Sequence, residues 1–302
     1  MCRRRHQGGT RLLTSDDTVA PHNDATLSAL RAKHPPAPHD VELPNPAPNM
    51  DLQNLNVDTD TVLSAVTSMQ SSSGAGLDGM RPLYLQQILG ADTADRGRRL
   101  LFALTSLVNI AMRGAIPEVA RDCFFGASLC ALAKKDGGIR PVAVGCVYRR
   151  LASKIGARYA STVVRGSLQP SQLGVGTPGG CEAVVHAARQ FVHSPEHRSI
   201  DSIKVLIKVD VKNAFNSLHR TNFLRKILEK CPQVYTFMDQ AYRNPCPLYY
   251  GRDKLLSETG LQQGDHMASV AFAMAISDAI SELNSPFNAW YLDDGTIGGE
   301  LE

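Results

Sequence analysis

Asp210 ends the run Val205-Leu206-Ile207-Lys208-Val209, and Asp293 and Asp294 follow Trp290-Tyr291-Leu292. Each acidic group stands at the end of a strand-like apolar stretch. A carboxylate at the end of a buried strand is costly unless its charge is compensated, and adjacent aspartates repel unless a cation lies between them. Three such carboxylates carried by one sheet suit Mg²⁺, a hard ion that takes one or two carboxylates and leaves its other positions to water and phosphate oxygens. A pair of these ions stabilises both the attacking and the leaving oxygen of a phosphoryl transfer. The chemistry implied is nucleotidyl transfer.

Three further groups of residues bear on this. Phe215 falls on the first turn beyond Asp210. Its ring either lies under the sugar of a bound nucleotide, crowding a 2′-hydroxyl, or is an ordinary core aromatic. Gln263 and Gly264 precede an apolar helix. The glutamine can hydrogen-bond, and the glycine lets a base or backbone come close. The helix N-terminus there either receives an anion or is capped by Asp265. Lys134 and Lys135 occupy a Lys-Lys-Asp-Gly-Gly turn, with Arg140-Pro141 just beyond. Read by itself, that turn is a solvated tip, since lysines are common at exposed turns.

Along the chain, hydrophobic periodicity sets out the supporting elements. Residues 1–49 are broken by Pro35, Pro36, Pro38, Pro44, Pro46 and Pro48 and read as a disordered tail or linker. Helical patterns follow over residues 58–69, 83–88, 100–112, 148–164, 181–192, 218–228 and 268–280. Ala127–Ala133 and Ile139–Val144 form a hairpin, the strand through Asp210 is a second β signal, and a final hairpin turns at Asp293-Asp294-Gly295. The class is α+β, with a helical and hairpin region over residues 50–200 and the carboxylate-bearing region over 201–302.

Composition agrees with a folded chain: 43% hydrophobic and 20% charged residues, with a net charge of +3 that permits a nucleic-acid partner without requiring one. Seven cysteines, an odd number with no CxxC pair, exclude the common zinc modules and suit a reduced intracellular setting, nuclear or cytoplasmic. No signal peptide is visible, since no apolar stretch follows Met1-Cys2-Arg3-Arg4-Arg5-His6, and Ala268 to Ile280 is too short for a membrane span and reads as a buried helix. His193 and His197 are separated by a proline and read as an exposed loop. Gly174 to Gly179 matches GxGxxG, but a loop rather than a strand precedes it, so a dinucleotide fold fails on context.

Taken in order, the Asp-x-x-x-x-Phe of Asp210 and Phe215, the Gln263-Gly264 pair and Tyr291-Leu292-Asp293-Asp294 resemble the reverse transcriptase family, especially polymerases of non-long-terminal-repeat retrotransposons. Gln172-x-Gly174, followed by Glu182, His186 and Arg189, resembles the family's region before the catalytic strand. The resemblance implies a right-hand polymerase fold of fingers and palm, with the thumb apparently missing after Glu302. It implies an RNA-directed DNA polymerase that adds dNTPs to a DNA primer on an RNA template, with two Mg²⁺ ions, or Mn²⁺ in their place. Asp210 and Asp293 would bind both ions, Asp294 and the main-chain carbonyl of Val211 would support them, and Phe215 would select the deoxy sugar. Gln263 and Gly264 would position nucleotide and template, and Lys134, Lys135 and Arg140 would neutralise the triphosphate. Gln262 stands where many relatives have proline, which alters the rigidity of the loop more than its chemistry. An inactive nucleic-acid-binding remnant is the alternative reading. An RNA-dependent RNA polymerase is disfavoured by Tyr291-Leu292 and Phe215. No membrane association and no particular oligomeric state follow from the sequence.

Overall fold

The computed structural model describes residues 18–38, 42–90, 94–193 and 203–301. A first sheet is built on the hairpin of β2 (Ala127–Ala133) and β3 (Ile139–Gly145), registered from Ala127↔Gly145 to Ala133↔Ile139. The other edge of β2 receives β1 (Thr18–Val19) antiparallel and β5 (Cys246–Tyr250) parallel, and β5 pairs with β6 (Asp253–Ser257). This sheet therefore draws strands from both sides of residue 200. The second sheet has the order β4 (Ile203–Asp210), β8 (Asp294–Leu301), β7 (Phe287–Tyr291), all antiparallel.

A helical core joins the sheets. At its centre α6 (Val147–Leu168) packs against α11 (His266–Ser281). Met267, Ala268, Val270, Ala271, Phe272, Ala273 and Met274 of α11 are all buried, the signature of a helix enclosed on every side. Around this pair lie α2 (Thr59–Thr67), α3 (Pro82–Gly90), α4 (Ala94–Met112) and α5 (Glu118–Phe125), then α7 (Gly180–His193), the single turn α8 (Ala214–Ser217), α9 (Arg220–Lys230) and α10 (Tyr235–Tyr242). One continuous core cluster runs from Val57 to Met274.

Two expectations need correction. The first 49 residues are not uniformly a disordered linker, because α1 (Asp24–Lys33) forms within them. Asn23 caps it by accepting from the Thr26 amide at 2.9 Å, and Leu27 and Leu30 enter a second core cluster with Leu129, Ala143 and Leu248. The proline-rich stretch beyond it is held through its carbonyls: Pro36 accepts from Thr259 Oγ1 at 2.9 Å, and Pro44 accepts from the Tyr235 hydroxyl at 2.6 Å and from Arg243 at 3.0 Å. The apolar run of β4, expected to be a buried strand, is also partly open to solvent, with Ile203 64% and Ile207 58% exposed. It is the edge strand of its sheet and, among the described residues, pairs only with β8.

Candidate active site

A cleft of about 670 Å³ opens between the two sheets. It is lined by Asp210, Val211, Phe215, Gln263, Gly264, Asp293 and Asp294, and by Lys134 and Arg140 from the hairpin. Lys135, the remaining predicted site residue, lies on the exposed tip and does not line the cleft. Lys33, Lys212, Asp136, Asn213, Asp265 and Ser269 line it as well, and no sequence reading had marked Lys33, Lys212, Asp136, Asn213 or Ser269.

Asp210 and Asp294 are register partners on β4 and β8. The tight turn joining β7 to β8 consists of Leu292 and Asp293, because Tyr291 pairs with Asp294. The Asp-Gly dipeptide is thus not the turn itself. Gly295 belongs to β8, where a Cβ would stand 2.7 Å from the Trp290 ring, so the glycine is required by cross-strand packing. Burial raises the pKa of the half-buried Asp293 carboxyl, and the charges of Asp294 and Asp210 add to the effect. Lys208 lies 3.8 Å from Asp294, both side chains being well exposed, so the attraction is weak.

Among the described residues no three His, Cys, Asp or Glu side chains are gathered closely enough to hold a metal ion by themselves. Three carboxylates on one cleft, all oxygen donors, fit a hard divalent cation, with remaining positions left to water or phosphate.

The loop before α11 is fixed from beneath. Gly264 adopts φ +116°, and a Cβ there would stand 2.5 Å from the Ala143 carbonyl oxygen, so the close approach this glycine permits is that of strand β3. The Gln263 carbonyl accepts from the Ala143 amide at 2.7 Å, tying the loop to the strand that carries Arg140. Asp265 caps α11 by accepting from the Met267 amide at 3.0 Å, so its carboxylate occupies the helix N-terminus in place of an external anion.

That same carboxylate is the centre of a buried network that the sequence did not disclose. Arg149, on α6, donates to Asp265 Oδ2 at 2.8 Å and to Gln262 Oε1 at 2.6 Å, and also to the Phe125 carbonyl. The Tyr242 hydroxyl donates to Asp265 Oδ2 at 2.8 Å, and Ser153 donates to Oδ1. The Arg149 and Asp265 side chains are only 2% and 3% exposed. Burial alone would raise the Asp265 pKa, but the Arg149 guanidinium and the two hydroxyls lower it overall. Gln262 is buried and holds the loop through its side chain.

Phe215 closes the cleft floor. Its ring stacks on Phe272 of α11 with centroids 4.7 Å apart and planes 25° apart. Its carbonyl accepts from the Leu261 amide at 2.7 Å, which couples the turn after Asp210 to the loop of Gln263. Among the described residues no helix is long and apolar enough to cross a membrane.

The sequence over residues 132–302 matches the family described as reverse transcriptase (RNA-dependent DNA polymerase). No curated protein matches the chain. Among solved structures, apo telomerase from Candida tropicalis truncated from its C-terminal domain superposes with a TM-score of 0.42 and 11% identity, over 65% of this chain and 49% of that one. Apo telomerase from the same organism gives 0.43 and 12%, over 61% of this chain and 40% of that one. This chain spans less than half of either structure.

Proposed function

As this chain belongs to the reverse transcriptase (RNA-dependent DNA polymerase) family, we propose that its cleft extends a DNA primer along an RNA template with dNTPs, and that it derives from a retrotransposon polymerase of the non-long-terminal-repeat type. The observation that carries this reading is the convergence of Asp210, Asp293, Asp294, Phe215, Gln263, Lys134 and Arg140 on one cleft from four separate stretches of sequence. An intracellular site of action, nuclear or cytoplasmic, belongs to the same proposal.

In this reading Lys134 and Arg140 draw the triphosphate to the hairpin side of the cleft and neutralise it. Phe215, backed by Phe272, lies under the sugar and leaves no room for a 2′-hydroxyl. Gln263 is held against β3 and positions the nucleotide against the template. Asp210 and Asp293 hold Mg²⁺, or Mn²⁺ in its place, with Asp294 and the Val211 carbonyl alongside, and the bound ions would supply charge stabilisation for the attacking and leaving oxygens. The primer 3′-hydroxyl attacks the α-phosphate and pyrophosphate leaves. The residues contribute positioning and electrostatics rather than covalent chemistry.

The test is primer extension on an RNA template with Mg²⁺ and either dNTPs or rNTPs, with Asp293→Ala run beside the unaltered chain. Incorporation of dNTPs that disappears in the variant is expected. Incorporation of rNTPs alone would move the chain to the RNA polymerases, and no incorporation by folded protein would leave a nucleic-acid-binding remnant.

A further inference from the structure

The N-terminal helix ends at the cleft, and its last residue is Lys33. This helix lies outside the residues that match the family, yet it is built into the same body. β1, just before it, extends the sheet of the basic hairpin through Thr18↔Ala133 and Val19↔Leu132. Leu27 and Leu30 bury against that sheet. At its far end the Lys33 carbonyl accepts from the Asn213 side-chain amide at 3.1 Å. Asn213 lies between Asp210 and Phe215 and holds φ +55°, a left-handed conformation that asparagine tolerates better than most residues. The helix thus runs from the hairpin sheet to the turn after the first aspartate, fixed at both ends, and its last residue reaches the cleft.

The charge around the cleft shows what Lys33 adds. Its lining holds four cations, Lys33, Lys134, Arg140 and Lys212, against five carboxylates, one of which, Asp265, is already matched by Arg149. Among the described residues no ion pair engages the Lys33 ammonium. A polyphosphate brought beside Asp210, Asp293 and Asp294 needs positive charge on the protein as well as on any metal. Lys134 and Arg140 supply it from the hairpin, and Lys33 is placed on the side of Asn213.

We propose that Lys33 is a polyphosphate-binding residue of the nucleotide site, contributed by the N-terminal helix and set in place by Asn213. The proposal rests on the reading of the cleft as a nucleotide site. Because Asn213 bonds the main chain of Lys33, truncating the side chain removes the charge and leaves the docking of the helix intact.

Binding of dATP with Ca²⁺ in place of Mg²⁺, of inorganic tripolyphosphate, and of 2′-deoxyadenosine would be measured calorimetrically for the unaltered chain, Lys33→Ala and Lys33→Arg. Lys33→Ala is expected to weaken dATP and tripolyphosphate by about five- to tenfold, the scale of one partly exposed charge-assisted contact. It is expected to leave deoxyadenosine unchanged, and Lys33→Arg to restore most of the loss. Equal dATP and tripolyphosphate binding by the unaltered chain and Lys33→Ala would overturn the proposal and leave the polymerase reading standing. Loss confined to Lys33→Ala in a chain that extends no primer would uphold Lys33 as a phosphate ligand while the polymerase reading fails. Absence of dATP and tripolyphosphate binding in the unaltered chain would overturn both.

Discussion

Gln172 grips the main chain of Leu292 from both sides. The Leu292 amide donates to Gln172 Oε1 at 2.8 Å, and Gln172 Nε2 donates to the Leu292 carbonyl at 3.1 Å. Leu292 needs the restraint, because it holds φ +56° at the first position of the turn that presents Asp293. A branched side chain in that region costs roughly 1–3 kcal/mol and persists only where surrounding contacts enforce it. Main-chain bonds add to the grip: Trp290 donates to the Ser171 carbonyl at 2.7 Å, and Leu173 donates to the Trp290 carbonyl at 2.8 Å. Gly174 allows the approach, since a Cβ there would stand 2.6 Å from the Leu292 nitrogen.

Gln172→Ala therefore strands both polar groups of a half-buried peptide and frees the turn. Primer extension should fall at least about tenfold in kcat, with a smaller change in KM for the dNTP, because Asp293 is displaced while the binding side chains stay in place. Gln172→Glu keeps the acceptor for the Leu292 amide and loses the donor, and should retain part of the rate. An equal loss of kcat/KM through KM alone would show that the grip serves binding rather than the turn.

The elements that carry the cleft were largely legible, because each writes its own periodicity. The hairpin of Ala127–Ala133, the strand ending at Asp210 and the buried helix after Asp265 all stand where hydrophobic pattern put them. Much of what escaped depends on partners distant in sequence. The composition of residues 1–49 hid Leu27 and Leu30, whose burial depends on strands about a hundred residues or more away. The β5–β6 hairpin went unread, although its strands close on either side of Gly251-Arg252. Arg149 reads as one basic residue among several on a helix until Asp265 and Tyr242 are folded against it. The final turn was misplaced because Asp-Gly is a strong turn signal, yet Trp290 claims Gly295 for the strand.

The Arg149–Asp265 pair gives a stability prediction. Removing one partner of a buried pair leaves the other charge uncompensated, at a cost of about 3–5 kcal/mol. Arg149→Met should lower Tm on the order of 10 °C in a scanning melt. Adding Asp265→Asn to that variant removes the orphaned charge and should recover part of the loss. Strict additivity of the two single changes would show that the side chains are not coupled.

Asp293 sets a pH dependence of opposite sign to that of a salt-bridged carboxylate. Its folded pKa is raised, so the folded chain holds the proton more tightly than the unfolded chain does. Its ionised form therefore weakens the fold at neutral pH, and the penalty is relieved as pH falls through the folded pKa. Without divalent ions, Asp293→Asn should raise Tm at neutral pH by about 1–2 °C and lose that advantage in acid. Mg²⁺ should stabilise the unaltered chain more than the variant, since a ligand raises stability in proportion to its occupancy of the folded state. A variant that melts with the unaltered chain at every pH would remove the burial penalty and the carboxylate repulsion from the account.

Phe215 tests the sugar side of the cleft. Its ring has little freedom to swing away from a 2′-hydroxyl, since it stacks on Phe272, itself almost fully buried. Phe215→Ala opens that space, and the ratio of rNTP to dNTP incorporation should rise about a hundredfold, the scale of a 2–3 kcal/mol steric discrimination. Phe272→Leu leaves Phe215 in place but removes its backing, so the ratio should rise by a smaller factor while dNTP incorporation stays near that of the unaltered chain. Competing incorporation of rATP and dATP opposite one template base measures both ratios directly. If Phe215→Ala loses dNTP and rNTP incorporation in equal proportion, the ring supports the turn after Asp210 and does not select the sugar.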